Sequence, residues 1–478
     1  MSQVLNKESE KYLYQQVIDM IKKMQKSDVL RVGDKLPSLR KLSQQLNVSI
    51  PTVKLAYLEL ERQDLIEARP KSGYFLKGQA NILAVPKRCR LTKDPIMVDR
   101  QHFIEHIFNA INNPKMVPLG ISAPTAAYSA EKALARIMRQ VLTKAGEKAV
   151  SYAPMDGYPP LKRQLALRYF DYGLQVDQSE IIVTNGAQEA IAIALKCVAK
   201  PGDVIAIESP CYFGIIELIE SLGMLALEIP LCPVDGIWYQ DLEKSIKQHN
   251  VKACVFSTSI SNPLGSFMTE SKKKQVVELL ESHDIPMIED DVYGDLYFTE
   301  KRGMPAQKYA KKGLVLSCSS FSKTAAPGYR IGWLLAGKFS DKARIIKRAL
   351  SCSSSLINQW TLAEFIMGHQ YDRYLIRLRE ILKCNKDRML AKIQAVFPKD
   401  TQVTNPQGGS VLWLKLPNNK DAKELFYQAI EENISIIPGD VFSPSNRYKS
   451  FIRISYGIPW NKNIETALEK LSSMCKIL

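Results

Sequence analysis

Apolar residues in the first eighty positions recur at helical spacing in three short runs. Tyr14, Val17, Ile21 and Met24 fall three or four apart within residues 11–27 and predict a helix with one buried face. After Gly33, Pro37-Ser38 opens a second, shorter run, with Ser38 placed to cap it and Leu39, Leu42 and Leu46 turned inward. Asn47-Val48 makes a turn. Ser49 then caps a third helix whose first turn holds Pro51, where a missing backbone N–H costs little. Val53, Tyr57 and Leu60 form that helix's packed side, while Thr52 and Lys54 lie toward its exposed beginning. From Leu65 to Leu76, apolar flanks enclose a basic tip rich in turn formers, Arg69-Pro70-Lys71-Ser72-Gly73, which predicts strand, turn and strand.

Two short helices joined by a tight turn and followed by a hairpin describe a winged helix-turn-helix. Such a unit sets its third helix in the major groove of DNA, with basic side chains around it on the phosphates. The pattern alone also suits a three-helix interaction module, in which Arg40 and Arg69 are ordinary solvated charges.

Residues 79–115 have mixed character, with Pro86, the basic run Lys87-Arg88-Cys89-Arg90 and Pro95, and predict a linker that folds as a helix near 100–111. Beyond residue 116, short apolar runs alternate with helical stretches. Strands are predicted at 181–184, 204–207, 251–256, 286–289 and 314–318, which indicates an α/β domain with a largely parallel sheet. The expected division is therefore 1–78, a linker at 79–115, and 116–478.

Composition narrows the class. Hydrophobic residues make up 46% of the 478, enough for substantial cores, so a mostly disordered chain is excluded. A formal charge of +16 permits nucleic acid as a partner without locating it. The nine cysteines form no CxxC pair, which speaks against a metal cluster or disulfide scaffold and for a reducing compartment. A polar, charged N-terminus and no apolar run of membrane-spanning length predict a cytoplasmic protein without a membrane partner.

Four local sites in the large region carry candidate chemistry. Thr184-Asn185-Gly186-Ala187-Gln188 follows a strand and begins a helix, so its N–H groups can hold an anion; no GxGxxG follows any strand. Asn262-Pro263-Leu264-Gly265 comes after another strand, and Asp290-Asp291-Val292-Tyr293 ends a third, where side chains face a crevice. Ser320-Phe321-Ser322-Lys323 precedes Pro327-Gly328-Tyr329-Arg330. Each is weak alone, since a lysine after a strand is usually a solvated surface residue. Together they offer a carboxylate, an amine nucleophile and phosphate ligands, which is the set that pyridoxal phosphate requires.

Residues 33–76, GDKLPSLRKLSQQLNVSIPTVKLAYLELERQDLIEARPKSGYFL, resemble the winged helix of the GntR family. The resemblance implies that Arg40, the start of the third helix (Ser49, Thr52, Lys54) and the wing (Arg69, Gly73) approach operator DNA. Ile50 departs from the arginine many members carry after the serine, so the base-reading set is altered. The four sites of the large region match, in order, the class I aminotransferases of fold type I, with a large and a small subdomain. That resemblance implies Lys323 as the Schiff-base lysine, Asp290 as partner of the pyridine nitrogen, and Tyr293 and Asn262 as partners of the ring hydroxyl. The family spacing Asp-x-x-Tyr selects Asp290, although Asp291 is equally acidic. Tyr212 resembles the aromatic stacked on the ring, and Gly186, Ala187, Ser320, Ser322 and Arg330 the phosphate cradle. Tyr152 resembles the tyrosine that reaches the neighbouring subunit's phosphate, and Arg453 the arginine that holds a substrate α-carboxylate.

The combination is similar to the MocR subfamily of regulators. It implies a head-to-tail homodimer that forms an internal aldimine with pyridoxal phosphate. Cofactor, or an amino compound or amino acid joined to it, would then alter DNA binding. The rival is a working aminotransferase, amino acid to 2-oxo acid, with a DNA-binding appendage.

Overall fold

The computed structural model describes residues 11–26, 29–30, 33–63, 65–69, 72–77, 101–124, 128 and 130–476. The wing tip at Pro70-Lys71 and most of the linker, including Pro86, Lys87-Arg88-Cys89-Arg90 and Pro95, lie outside the described residues. The chain divides into two compact units. One is built on the N-terminal helices and wing together with residues 383–397, and the other on the remainder.

In the N-terminal unit, helices α1 (Leu13–Lys26), α2 (Leu39–Leu46) and α3 (Ile50–Arg62) pack with strands β1 (Ile66–Arg69) and β2 (Gly73–Leu76). The predicted apolar spacing closes one core: Val17, Ile21, Leu42, Val53, Tyr57 and Leu60 are buried, with Tyr14, Leu39 and Leu46 packed partly against them. Both serine caps form. Ser38 Oγ accepts from Lys41 N at 3.3 Å and Ser49 Oγ from Thr52 N at 3.2 Å, satisfying backbone donors that a helix start leaves free. Asn47 ends α2 in the left-handed region, at φ 51°. Tyr57 ties the helix-turn-helix together by donating its hydroxyl to Pro37 O at 2.9 Å. The wing is antiparallel, with Arg69 opposite Gly73. Gly73 sits at φ +109°, a backbone region side chains rarely enter, which suits glycine at this turn.

The larger unit centres on an eight-stranded sheet. Its strands are β3 (Ile181–Thr184), β4 (Val204–Ser209), β5 (Leu225–Cys232), β6 (Gly236–Ile237), β7 (Val251–Phe256), β8 (Met287–Asp290), β9 (Val315–Ser320) and β10 (Gly332–Leu335), in the order β3-β10-β9-β8-β7-β4-β5-β6. Strands β5, β4, β7, β8 and β9 run parallel. Strand β10 is antiparallel to both β9 and β3, so β3 points the same way as β9. All residues of β3, β9 and β10 are buried, which is why these strands read as continuous apolar or small-residue runs without alternation. Helix Ala187–Val198 buries Ile191, Ile193 and Leu195 against this sheet, each worth about 1.5–3 kcal/mol over exposure.

A second, four-stranded antiparallel sheet has the order β11-β12-β14-β13, from β11 (Gln402–Val403), β12 (Val411–Lys415), β13 (Ile437–Pro438) and β14 (Phe451–Ser455). The predicted linker helix is present at Gln101–Asn112. Among the described residues no helix is long and apolar enough to cross a membrane.

Candidate functional site

On α3, Ser49 and Lys54 are exposed and Thr52 half-buried, while Arg40 is exposed on α2. Ser49 Oγ and Thr52 Oγ1 lie 2.8 Å apart and share a hydrogen bond. Ile50, the first residue of α3, is 44% exposed beside them, so an apolar side chain stands in solvent at the start of that helix. Arg69 is less free. It pairs with Glu67 at 2.6 Å and lies over the Phe75 ring at 4.3 Å. The exposed face of the head is thus carried by Arg40, Ser49, Ile50 and Lys54, with Gly73 at the wing.

In the larger unit, β3, β4, β7, β8 and β9 end at one edge of the sheet, and a cleft opens there. Its walls include Ala187, Tyr212, Asn262, Asp290, Tyr293, Ser320, Ser322, Lys323 and Arg330. It encloses about 570 Å³ of empty space, part of it open to solvent. At one end, Gly186 caps helix Ala187–Val198 at φ +89°, and a Cβ there would come within 2.6 Å of Arg330 Nη2. Glycine therefore lets the guanidinium reach the helix start, where Arg330 Nη2 also donates to Asn185 O at 3.2 Å. Ser320 and Ser322 come from the end of β9, and Ser322 N donates to Ser320 Oγ at 3.3 Å. Free N–H groups, the positive end of a helix, two hydroxyls and an arginine make an anion cradle.

The other groups carry the reactive chemistry. Asp290 ends β8, and burial pushes its carboxyl up to about 6 against the stabilising Val292 N–H. The neighbouring Asp291 turns away and forms an ion pair with Arg302. The doubled aspartate is thus divided: the first faces the cleft and the second a buried arginine. Burial, then the positive charge of Arg453, brings the Lys323 amine down to about 8, partly offset by Asp290. Lys323 Nζ donates to Ser122 Oγ at 3.1 Å, and Tyr293 donates its hydroxyl to Ser122 O. Arg453, in β14, is 1% exposed. It donates to Asn262 Oδ1 at 3.2 Å and to Gly120 O at 2.8 Å, leaving Nε without a partner. No ion pair to Arg453 is found among the described residues. A buried guanidinium held only by neutral acceptors is short of a negative charge.

Tyr152 is 85% exposed and is not part of the cleft wall. Sequence reasoning missed Gly120 and Ser122, and named Gln188 only as part of the turn that begins a helix. Gln188 Nε2 donates to Gly214 O at 2.6 Å and fastens the start of one helix to that of the next. Gly120 and Ser122 lie in Gly120-Ile121-Ser122-Ala123-Pro124, whose turn-forming composition was the sole local signal.

Residues 114–471 match the family described as aminotransferase class I and II, and residues 13–76 match the bacterial regulatory proteins of the gntR family. Over 96% of its length the chain is 33% identical to the HTH-type transcriptional regulator YjiR of Escherichia coli (strain K12), covering 97% of that protein. This chain belongs to the MocR-type regulators. It is also 34% identical to YdcR, a second HTH-type transcriptional regulator of the same strain, with 96% of this chain and 98% of that one covered. The fold of the larger unit is that of aminotransferases. Pyrococcus horikoshii kynurenine aminotransferase, solved in complex with PMP, superposes with a TM-score of 0.74 at 24% identity, over 79% of this chain and 95% of that one. This MocR-type chain is therefore a DNA-binding regulator with an aminotransferase-like domain.

Proposed function

We propose that the cleft holds pyridoxal phosphate and an amino acid, and that its occupancy sets how a homodimer engages operator DNA. The observation that carries this reading is that an amine, a carboxylate and an anion cradle line one cleft, beside a buried arginine that has no negative partner among the described residues. The residues fit the cofactor. Gly186, Ala187, Ser320, Ser322 and Arg330 would take its phosphate, Lys323 its aldehyde, Asp290 its ring nitrogen, Asn262 and Tyr293 its hydroxyl, and Tyr212 its ring face. When bound, the group supplies an electron sink for bonds at the α-carbon of an amino acid.

Each residue's part follows from its surroundings. Lys323, brought down to about 8, has a larger neutral, nucleophilic fraction near pH 7 than an ordinary lysine. Asp290, at about 6, is mostly ionised at that pH and can hold a proton on a ring nitrogen. Arg453 presents a planar fork that suits an α-carboxylate in two-point contact. Tyr152, exposed outside its own cleft, would serve the cleft of a partner subunit. Arg40, Ser49, Thr52 and Lys54 meet DNA, with Arg69 and Gly73 shaping the wing. Occupancy acts as a switch by favouring one arrangement of the dimer over another.

The test is DNA footprinting with cofactor-free protein, cofactor-loaded protein and loaded protein plus a panel of amino acids. Footprints identical in all three states would end the regulatory reading. A second reading, slow transamination, is favoured by Lys323, Asp290, Tyr293 and Arg453 all standing at one site. Conversion of an amino acid to its 2-oxo acid in a single turnover would establish it.

A further inference from the structure

Behind the cleft, and outside its walls, a buried polar network joins the residue after Asp290 to the residue after Lys323. Asp291, with 1% of its side chain exposed, pairs with Arg302, which is 8% exposed. Arg302 Nε reaches Asp295 Oδ1 at 2.7 Å, and its guanidinium lies over the Tyr172 ring at 4.2 Å. Asp295 also accepts from Tyr172 at 2.8 Å, from Arg168 at 3.0 Å and from Tyr371 at 3.3 Å. The Tyr371 hydroxyl is shared with Thr324 Oγ1 at 2.8 Å, and Tyr371 and Thr324 are both almost fully buried. Burial alone would raise the Asp295 carboxyl, yet Arg168 and Arg302 hold it well below the usual range. Two largely buried aspartates and two largely buried arginines therefore compensate one another, and Arg168 pairs outward with Asp372 at 2.6 Å.

We propose that Tyr371 and Arg302 are positioning residues, which lock the turns after β9 and β8 from behind and so hold Lys323 and Asp290 in register across the cleft. Two strand ends meet the same carboxylate, Asp295, through one intermediary each. Neither turn can relax toward solvent without breaking a bond inside the network, where water is not available to replace it. The proposal rests on the reading of Lys323 and Asp290 as the reactive pair, and adds what keeps them placed. Charges facing the Lys323 amine are Asp290, Arg453 and Arg330. A slackened turn would move the amine away from all three and toward water.

The experiment uses the full-length protein in two states. Without cofactor, Lys323 is acetylated by an amine-directed ester across a pH series and quantified by peptide mapping, which reads the midpoint of its titration. With pyridoxal phosphate added at limiting concentration, borohydride-trapped label at the same peptide reads the rate of capture. Tyr371→Phe keeps the ring and loses the hydroxyl. It is expected to move the midpoint upward by about half a pH unit or more and to slow capture by about threefold or more. Thr324→Val should shift both readings in the same direction, and the double variant should add little to Tyr371→Phe, because the Tyr371–Thr324 bond is lost in either. The paired change Arg302→Gln with Asp291→Asn removes both charges and tests the other end. A lower melting temperature with an unmoved midpoint in Tyr371→Phe would overturn the proposal, as would full additivity with Thr324→Val. If wild type captures no pyridoxal phosphate, the cofactor reading fails, while the midpoint comparison still decides the network.

Discussion

On the head, the side chains proposed to meet DNA come from residues 40–73 and mostly stand in solvent. In the cleft, the chemistry is drawn from Gly120 to Arg453 and is mostly buried or half-buried, Arg330 excepted. Arg40 and Lys54 are hydrated, so each contributes modestly and the face works as a sum. Arg453 is cut off from water and Lys323 is half-buried, so each has an individual effect that its neighbours set. Local order on the head comes from caps and a turn, Ser38, Asn47 and Ser49. Order in the cleft comes from strand ends that meet only because the sheet brings β3, β4, β7, β8 and β9 to one edge. The comparison teaches that the two halves should fail differently under substitution.

The sharpest break would come from Lys323→Ala. Covalent capture of pyridoxal phosphate, read by borohydride trapping and mass spectrometry, should be lost completely. Non-specific DNA affinity at fixed salt should stay within about twofold, since phosphate contacts govern it. A label on another lysine would move the site.

Next comes Arg453→Ala, expected to weaken binding of an amino acid to loaded protein by about 2–4 kcal/mol, roughly 30- to 1000-fold, on the scale for truncating a buried charged partner. Loading with cofactor should persist, because its phosphate rests on other residues. A titration following absorbance and DNA affinity together checks both.

Smaller, but diagnostic of burial, is the pH response. Capture by Lys323 needs its neutral amine, so its rate should climb about tenfold per pH unit below the midpoint and level off above about 8. Because folding lowers this pKa, the unfolded chain binds the proton more tightly between about 8 and 10.5, and stability from this group is lost as pH falls through that window. Asp290 has the opposite sign. Its pKa rises from 3.8 to about 6, so its contribution is present at low pH and lost as pH rises through that range. Melting temperatures of Lys323→Met and Asp290→Asn against wild type, measured without cofactor across pH, test both signs.

On the head, Arg40→Ala and Lys54→Ala should each lower DNA affinity only about five- to tenfold and reduce the salt slope by about one. The mildest effect belongs to Ile50, whose exposed side chain can make apolar contact with a thymine methyl. Replacing thymine by uracil at single operator positions should weaken wild type about two- to fivefold at one position per half-site. Ile50→Ala should not register that change.

Much of this was legible from sequence. The winged helix was readable almost residue by residue, because caps, a proline in a first turn and helical spacing act within a few positions. The strands bearing Thr184, Asp290 and Ser320 were also readable, being apolar or small-residue runs bounded by turn formers. Strand β10 was not, since Gly332–Leu335 offers only a short apolar run that periodicity cannot assign. Sequence alone left Asp290 and Asp291 chemically equivalent but for the spacing to Tyr293. Tertiary structure separates them, because Arg302 can satisfy only the carboxylate that points behind the sheet. It also decided that Ser122 stands beside Lys323, that Arg453 lacks a negative partner among the described residues, and that Tyr371 reaches Thr324. Ser122 and Lys323 lie 201 positions apart and Thr324 and Tyr371 47, and no local pattern encodes a contact that exists only after distant segments have packed.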